Sequence, residues 1–323
     1  MMKILGMGNA LVDILVKLGN DDVISELGFP RGSMQLVDMN TAANVLKKTS
    51  GLPIQQYSGG SAANTIHGLA NLGIETGFIG KVGHDTFGAF FNADLEAKNI
   101  KSQLQHSDNE TGRAVALVSP DGERTFATYL GAAVELSAND LKSEDFKGYS
   151  ILHIEGYLVQ NHDLMTRAMQ LAKENGLKIS LDLASFNVVE ENIDFLKNIV
   201  CNYVDILFAN EEEAKSYTGK NPMEALKEMG KQCKVVVVKI GKEGSLVWLN
   251  SKITTVGVID AIPMDTTGAG DLYASGFLYG LLMNKTPEEC GWYGAVLSGN
   301  VIENIGAKIS NDRWAEIKQL IYK

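Results

Sequence analysis

Apolar runs of strand length alternate with helix-period segments along most of the chain, and this alternation is the tightest limit on its fold. Runs at 4–7, 76–80, 151–154, 178–183, 206–208 and 235–239 read as strands. Windows at 62–72, 87–98, 162–175, 210–218, 222–230, 271–282 and 288–304 repeat apolar residues at helical spacing. Such an order predicts an α/β architecture: a doubly wound, mainly parallel sheet with helices on both faces. In a sheet of that kind, ligands gather at the carboxyl edge, where strands run into short turns rich in Gly, Asn or Asp. With 323 residues, 45% of them hydrophobic, the chain can build one large domain of this type and a smaller appendage.

Two stretches break the rhythm. Residues 14–58 follow the first strand without a clear crossover. Residues 106–134 hold Arg113-Ala-Val-Ala-Leu-Val118, the turn Pro120-Asp-Gly122 and then Glu123-Arg-Thr-Phe-Ala-Thr-Tyr129, a strong hairpin pattern. These two excursions are expected to form a small β-rich lid. The large domain then takes 1–13, 59–105 and 135–323.

A net charge of −10 argues against general binding to nucleic acid, so an anionic ligand needs a local site. Cys201, Cys233 and Cys290 are odd in number and widely spaced, and the five histidines lack zinc-ligand spacing. Neither a disulfide framework nor a zinc site is expected. With no leader pattern and no apolar run near the roughly 18 residues of a membrane span, the expectation is a cytoplasmic protein with no membrane partner. Monomer and homodimer both remain open.

The chemistry concentrates in Asp265-Thr-Thr-Gly-Ala-Gly-Asp271, directly before a helix. Gly268, Ala269 and Gly270 let the backbone approach a ligand, and N–H groups at a helix start attract an anion. Asp271 beside them can take a proton from an alcohol while the amides hold a phosphate, which phosphoryl transfer to a hydroxyl requires. A capped, glycine-rich helix entry is the alternative.

The common nucleotide motifs are missing. Gly6-Met-Gly8 begins a GxGxxG, but Leu11 stands at its third glycine, and no GxxxxGK[ST] occurs. Other candidates carry less weight singly. Ser58-Gly-Gly-Ser-Ala-Ala-Asn64 suits close ligand approach, with Asn64 both donor and acceptor, and equally suits a turn with a cap. Asp13, just after the first strand, can accept two vicinal hydroxyls, or can cap a loop. Asn210-Glu-Glu-Glu213 offers oxygen ligands for Mg²⁺ through water, although a capped helix start explains it too. Lys239-Ile-Gly241-Lys-Glu-Gly244 can lie along a nucleotide or form a simple hairpin turn.

Together these residues resemble the PfkB carbohydrate kinases, also called the ribokinase family, over essentially the whole chain. The 265–271 run, with Ser275-Gly276 after it, fits the family's C-terminal signature. Gly59, Gly60, Asn64, Gly73 and Gly83 fit the N-terminal one, which departs at Ile66, where a small residue is usual. The resemblance implies a ribokinase-like fold and an ATP-dependent kinase. It implies Asp271 as catalytic base, the 268–270 amides as anion hole, and Asp13, Gly59, Gly60 and Asn64 as ligands of sugar hydroxyls. It also implies Asn210 and Glu213 as organisers of Mg²⁺ and phosphates through water. Asp265 and Thr267 match part of a monovalent-cation site, with K⁺ as its ion, and Arg124 matches a lid arginine that reaches the phosphates.

Within the family, Gly8-Asn-Ala-Leu-Val-Asp13 and Val204-Asp-Ile-Leu-Phe-Ala-Asn-Glu211 are most similar to the adenosine-kinase branch. Leu11, Met34, Leu36, Tyr157 and Phe186 align with positions that enclose the purine there; ordinary core or lid packing is the other account of these five. The resemblance therefore implies adenosine as acceptor, with ribose, fructose or 2-keto-3-deoxygluconate as alternatives. A ligand sensor on the same fold is a third reading, weakened by the intact Asp271 and its glycine loop. A dehydrogenase is weaker still, for want of the third glycine.

Overall fold

The strands number β1 (Lys3–Met7), β2 (Leu11–Lys17), β3 (Met34–Leu36), β4 (Ile54–Gly59), β5 (Glu75–Gly83), β6 (Lys101–Ser107) and β7 (Gly112–Val118) in the first part of the chain. β8 (Arg124–Tyr129), β9 (Ile151–Glu155), β10 (Lys178–Asp182), β11 (Ile206–Asn210), β12 (Val235–Lys239), β13 (Ser245–Leu249) and β14 (Lys252–Val256) follow. This computed structural model describes residues 2–322. Met1 and Lys323, the outer ends of the expected large-domain spans, lie outside the described residues.

Among the described residues, nine strands form one sheet in the order β14-β13-β12-β11-β10-β9-β1-β5-β6. It is parallel from β12 to β6, and a β12-β13-β14 meander closes one edge. Its inner strands are apolar on both sides, as a sheet covered twice must be. Val235 and Val237 pack with Phe208 and the helix Ala269–Leu282 on one face. Val236 and Val238 pack with Leu207 and the helices His162–Glu174 and Ile193–Tyr203 on the other. The helix Ala269–Leu282 approaches the helix Pro287–Val301 closely because a β-carbon at Gly276 would strike the Tyr293 carbonyl.

The other sheet runs β3-β8-β7-β2-β4, drawing strands from both sequence excursions. Its first strand begins at Leu11 and β4 runs through Gly59, so Leu11, Val12, Asp13 and Gly59 belong to this sheet and not to the large one. Asp13 therefore stands inside a strand and not in a loop. The stretch 14–58 is also more regular than its sequence pattern suggested. Its helices Asp22–Leu27 and Met39–Lys48 place Ile24 and Val45 against Val12, Ile14, Val115 and Leu117 on the back of the sheet.

Residues paired directly across strands share a face. Asp13, Ala114, Thr128 and Leu36 form one row on the front face, and Leu15, Ala116, Phe126 and Met34 the next. Val118 and Arg124 continue it. Arg124 reaches the turn that precedes the helix Ala269–Leu282, so this front face is turned toward that end of the large sheet.

Candidate active site

Gly268, at φ +76°, caps the helix Ala269–Leu282 with its α-carbon against Ala307, a position that only glycine fills without strain and collision. The turn behind it is closed by Ala269, whose N–H donates to the Thr266 carbonyl at 3.1 Å. That corrects the expected anion hole. The Ala269 amide is already engaged, whereas those of Gly268 and Gly270 find no acceptor among the described residues.

Asp271, in the first turn of the helix, accepts from Ser61 Oγ at 2.7 Å and from Asn64 Nδ2 at 3.0 Å. Burial raises its pKa, and these two donors oppose the rise by stabilising the carboxylate. Its backbone carbonyl accepts from Thr65 Oγ1 and Ser275 Oγ, each at 3.1 Å, which pins the helix Ser61–Asn71 to the helix Ala269–Leu282. Ser61 is a site residue that the sequence pattern did not single out.

On the acceptor side, the α-carbon of Gly59 lies against the Asp13 carboxylate, where any side chain would collide with it. Burial pushes Asp13 up to about 7, although the nearby Lys308 ammonium pulls the other way. Asn64 Oδ1 is buried without a partner, an acceptor left open beside Asp271. Gly60, at φ +95° and pressed on the Asn9 carbonyl, serves the backbone crossing. Glu155, at the end of β9, accepts from the Asn9 and Ala62 amides at 2.9 Å each. It thereby ties the segments that carry Asp13 and Asn64, and burial raises it to about 7. Lys308 donates to Ser58 Oγ at 3.1 Å. Glu155 and Lys308 also escaped the sequence reading: neither falls in a motif, and their meaning comes from a strand end and a connecting segment meeting the site in space.

Of the five expected purine-enclosing residues, Leu11 is half-buried on β2. Met34 and Leu36 stand on the front of the small sheet, 61% and 68% exposed. Tyr157 and Phe186, 42% and 40% exposed, follow β9 and β10 at the carboxyl edge of the large sheet. Core packing does not account for these last four, because each leaves a large apolar surface open to a ligand.

Toward the nucleotide side, Asn210 and Glu213 form a reciprocal cap. Asn210 Oδ1 accepts from the Glu213 amide at 2.8 Å, and Glu213 accepts from the Asn210 amide at 2.8 Å and Nδ2 at 2.7 Å. Burial raises Glu213, helped by the Asp182 charge. Among the described residues no three His, Cys, Asp or Glu side chains come together as a metal-ligand set. Each Glu213 oxygen keeps a further lone pair, so this pair fits Mg²⁺ through the ion's own water shell, not as direct ligands.

Lys239, at the end of β12, donates to Asp182 at the end of β10 at 3.0 Å, and its ammonium borders Gly270. Gly241 and Gly244 shape the β12–β13 turn. Gly244, at φ +97°, lies on the Val256 carbonyl, so the hairpin alone explains it, while Gly241 faces open space.

Asp265 is differently disposed from the expected cation ligand. It accepts from the Thr267 amide at 2.7 Å and the Gly306 amide at 2.6 Å, and it is ion-paired with Arg124. Arg124 Nη1 also donates to Thr267 Oγ1 at 3.1 Å. The corner predicted for K⁺ is thus filled by a guanidinium, and Arg124 faces this corner where a phosphate contact had been expected. Its pull, with those amides, holds Asp265 below the usual carboxylate range despite burial.

A family model for the pfkB family carbohydrate kinases matches residues 39–314. The chain is 28% identical to a 5-dehydro-2-deoxygluconokinase from Geobacillus kaustophilus, over 82% of this chain and 85% of that one. An adenosine kinase from Sinorhizobium meliloti superposes with a TM-score of 0.87, at 32% identity and 99% coverage of both chains. A probable sugar kinase from Rhizobium etli does so with the same score, at 31% identity and coverage of 99% and 98%. This chain belongs to the pfkB family of carbohydrate kinases and is a kinase of ribokinase-like fold.

Proposed function

We propose that this kinase moves the γ-phosphoryl group of ATP to a primary hydroxyl, and that the 5′-hydroxyl of adenosine is the acceptor its site suits best, giving AMP. The observation that carries the reading is the front face of the small sheet. There the Asp13 carboxylate, suited to vicinal ribose hydroxyls, stands beside a wall of Leu11, Met34, Leu36 and Phe126. Ala114 and Ala116 leave room on that wall for a flat base. The likeness to the Sinorhizobium meliloti adenosine kinase supports the same acceptor.

In this reading the five-stranded sheet is the lid. Asp13 and Asn64, with Gly59 and Gly60 between them in the chain, orient the acceptor. Asp271 takes the hydroxyl proton as the hydroxyl oxygen bonds to the γ-phosphorus. The bond from phosphorus to the bridging oxygen breaks, and its electron pair leaves with ADP. The turn at 268–270 faces the charge that develops, chiefly through the amides of Gly268 and Gly270. Asn210 and Glu213 would hold Mg²⁺ through its waters, where the ion would supply positive charge against the phosphates. The cytoplasm, where ATP is abundant, is the proposed location.

A sugar acceptor is the second reading. The identity to the Geobacillus kaustophilus 5-dehydro-2-deoxygluconokinase favours it, as does the cationic Lys308 close to Asp13. ADP release from ATP and Mg²⁺ with a panel of nucleosides, ribose, fructose and keto-deoxy sugar acids separates the two. Adenosine is expected to give the highest kcat/KM. Turnover of a sugar with none for any nucleoside would overturn the assignment.

A further inference from the structure

We propose that Lys239 is a catalytic cation, contacting the phosphoryl group as it crosses the turn at 268–270, and that Asp182 is the positioning residue that aims it. The inference rests on the phosphotransfer reading above and assigns a role to an ion pair that reading leaves unused.

Three facts of geometry carry it. Lys239 and Asp182 end strands β12 and β10, on either side of β11 with its Asn210, at the edge where ligands of such sheets gather. The Lys239 ammonium donates to Asp182 Oδ2 at 3.0 Å and lies beside the α-carbon of Gly270, whose amide is one of those left open at the turn. An ammonium has three donors, and Asp182 takes one; no other acceptor engages it among the described residues.

Asp182 is itself rigidly held. Its Oδ1 accepts from the Ala184 amide at 3.0 Å, and Ala184 has φ +66°, a left-handed conformation that a non-glycine residue adopts at a cost. The pair is scarcely open to water, at 17% and 7% side-chain exposure. An ammonium anchored on a fixed carboxylate at an open amide is pre-arranged for an anion.

The surroundings give the cation a task. The chain carries a net charge of −10, and Asp182, Glu213 and Asp271 all act electrostatically on Lys239. A triphosphate entering this edge needs a local positive charge besides its metal. Arg124 is paired with Asp265, and Lys308 bonds Ser58 on the acceptor side. In the transfer step Lys239 neither gives nor takes a proton: the hydroxyl proton goes to Asp271 and the leaving electron pair to ADP.

The test uses the full chain as wild type, Lys239→Met, Lys239→Arg, Asp182→Asn and the Asp182→Asn/Lys239→Met double variant. Binding of ADP and of the non-hydrolysable ATP analogue AMP-PNP, each with Mg²⁺, is measured beside turnover. Lys239→Met is expected to lower kcat about 100-fold with little change in acceptor KM, as loss of one transition-state donor does. It should weaken AMP-PNP about 10-fold relative to ADP. Lys239→Arg should recover part of both losses. Asp182→Asn should lower kcat, and in the double variant should add nothing to Lys239→Met, since its effect passes through that residue. Equal weakening of both nucleotides with a lowered melting temperature, or a Lys239→Met kcat near wild type, overturns the inference while leaving phosphotransfer intact. A wild type that binds neither nucleotide sinks the phosphotransfer reading itself.

Discussion

Arg124, on the small sheet, is ion-paired with Asp265, in the turn before the helix Ala269–Leu282, and joins the two sheets. Asp265 is almost fully buried, so losing the guanidinium leaves a charge supported by two amides alone. Arg124→Gln is expected to lower the melting temperature, because an unsatisfied buried group costs about 1–3 kcal/mol. K⁺ should restore part of the loss in the variant by entering the vacated corner, while tetramethylammonium should not. The wild-type rate should be alike in the two salts. Strong K⁺ activation of the wild type, unchanged in Arg124→Gln, would return Asp265 to the cation role expected from sequence.

Asp271→Asn keeps the side-chain shape and removes the base. The expected result is a kcat lower by about 10²–10⁴-fold with acceptor binding largely retained. Steady-state kinetics and acceptor titration check this, and a near-normal rate would remove Asp271 from the mechanism.

Gly59→Ala drives a methyl group into the Asp13 carboxylate. Displacing an orienting group by about 1 Å can cost roughly 10²-fold in rate. Acceptor kcat/KM is expected to fall on that scale, while ADP affinity, governed at the far side of the cleft, stays unchanged. Parallel loss of both would show a general disruption in place of a local one.

Burial pushes the Asp13 pKa up to about 7 by disfavouring its charge. Acceptor hydroxyls bond the ionised form, so acceptor binding favours proton release. Acceptor kcat/KM should rise with pH through about 7 and then level off, since this ratio reports groups of the free enzyme. Lys308 holds the Asp13 pKa down, so Lys308→Met should move the rising limb to higher pH. Asp13→Asn should abolish that limb. A limb unmoved by Lys308→Met would assign it to Glu155, which also titrates near 7.

Much of this site was legible in the chain because its signals are local. The small residues of 268–270 before a helix, the Asn210–Glu213 cap and the glycine pair before Asn64 each follow from the rules of helix starts and close backbone approach. Glu155, Asp182 and Lys308 were not legible. Each is a common residue type at a strand end or in a connecting segment, and nothing in its neighbours marks it. The same limit hid Asp13 inside β2, since Gly8 and Asn9, shortly before it, resemble a loop.

The periods of apolar residues, two for strands and 3.6 for helices, determined the layered α/β body from sequence alone, and the small residues of 268–270 its glycine-rich helix entry. Tertiary structure decided which charges meet: Arg124 with Asp265, Lys239 with Asp182, Lys308 near Asp13. Those encounters depend on sheet order and register, which bring together residues remote in sequence. Burial then sets which carboxylates keep their charge, because desolvation acts on a group's final surroundings and not on its place in the chain.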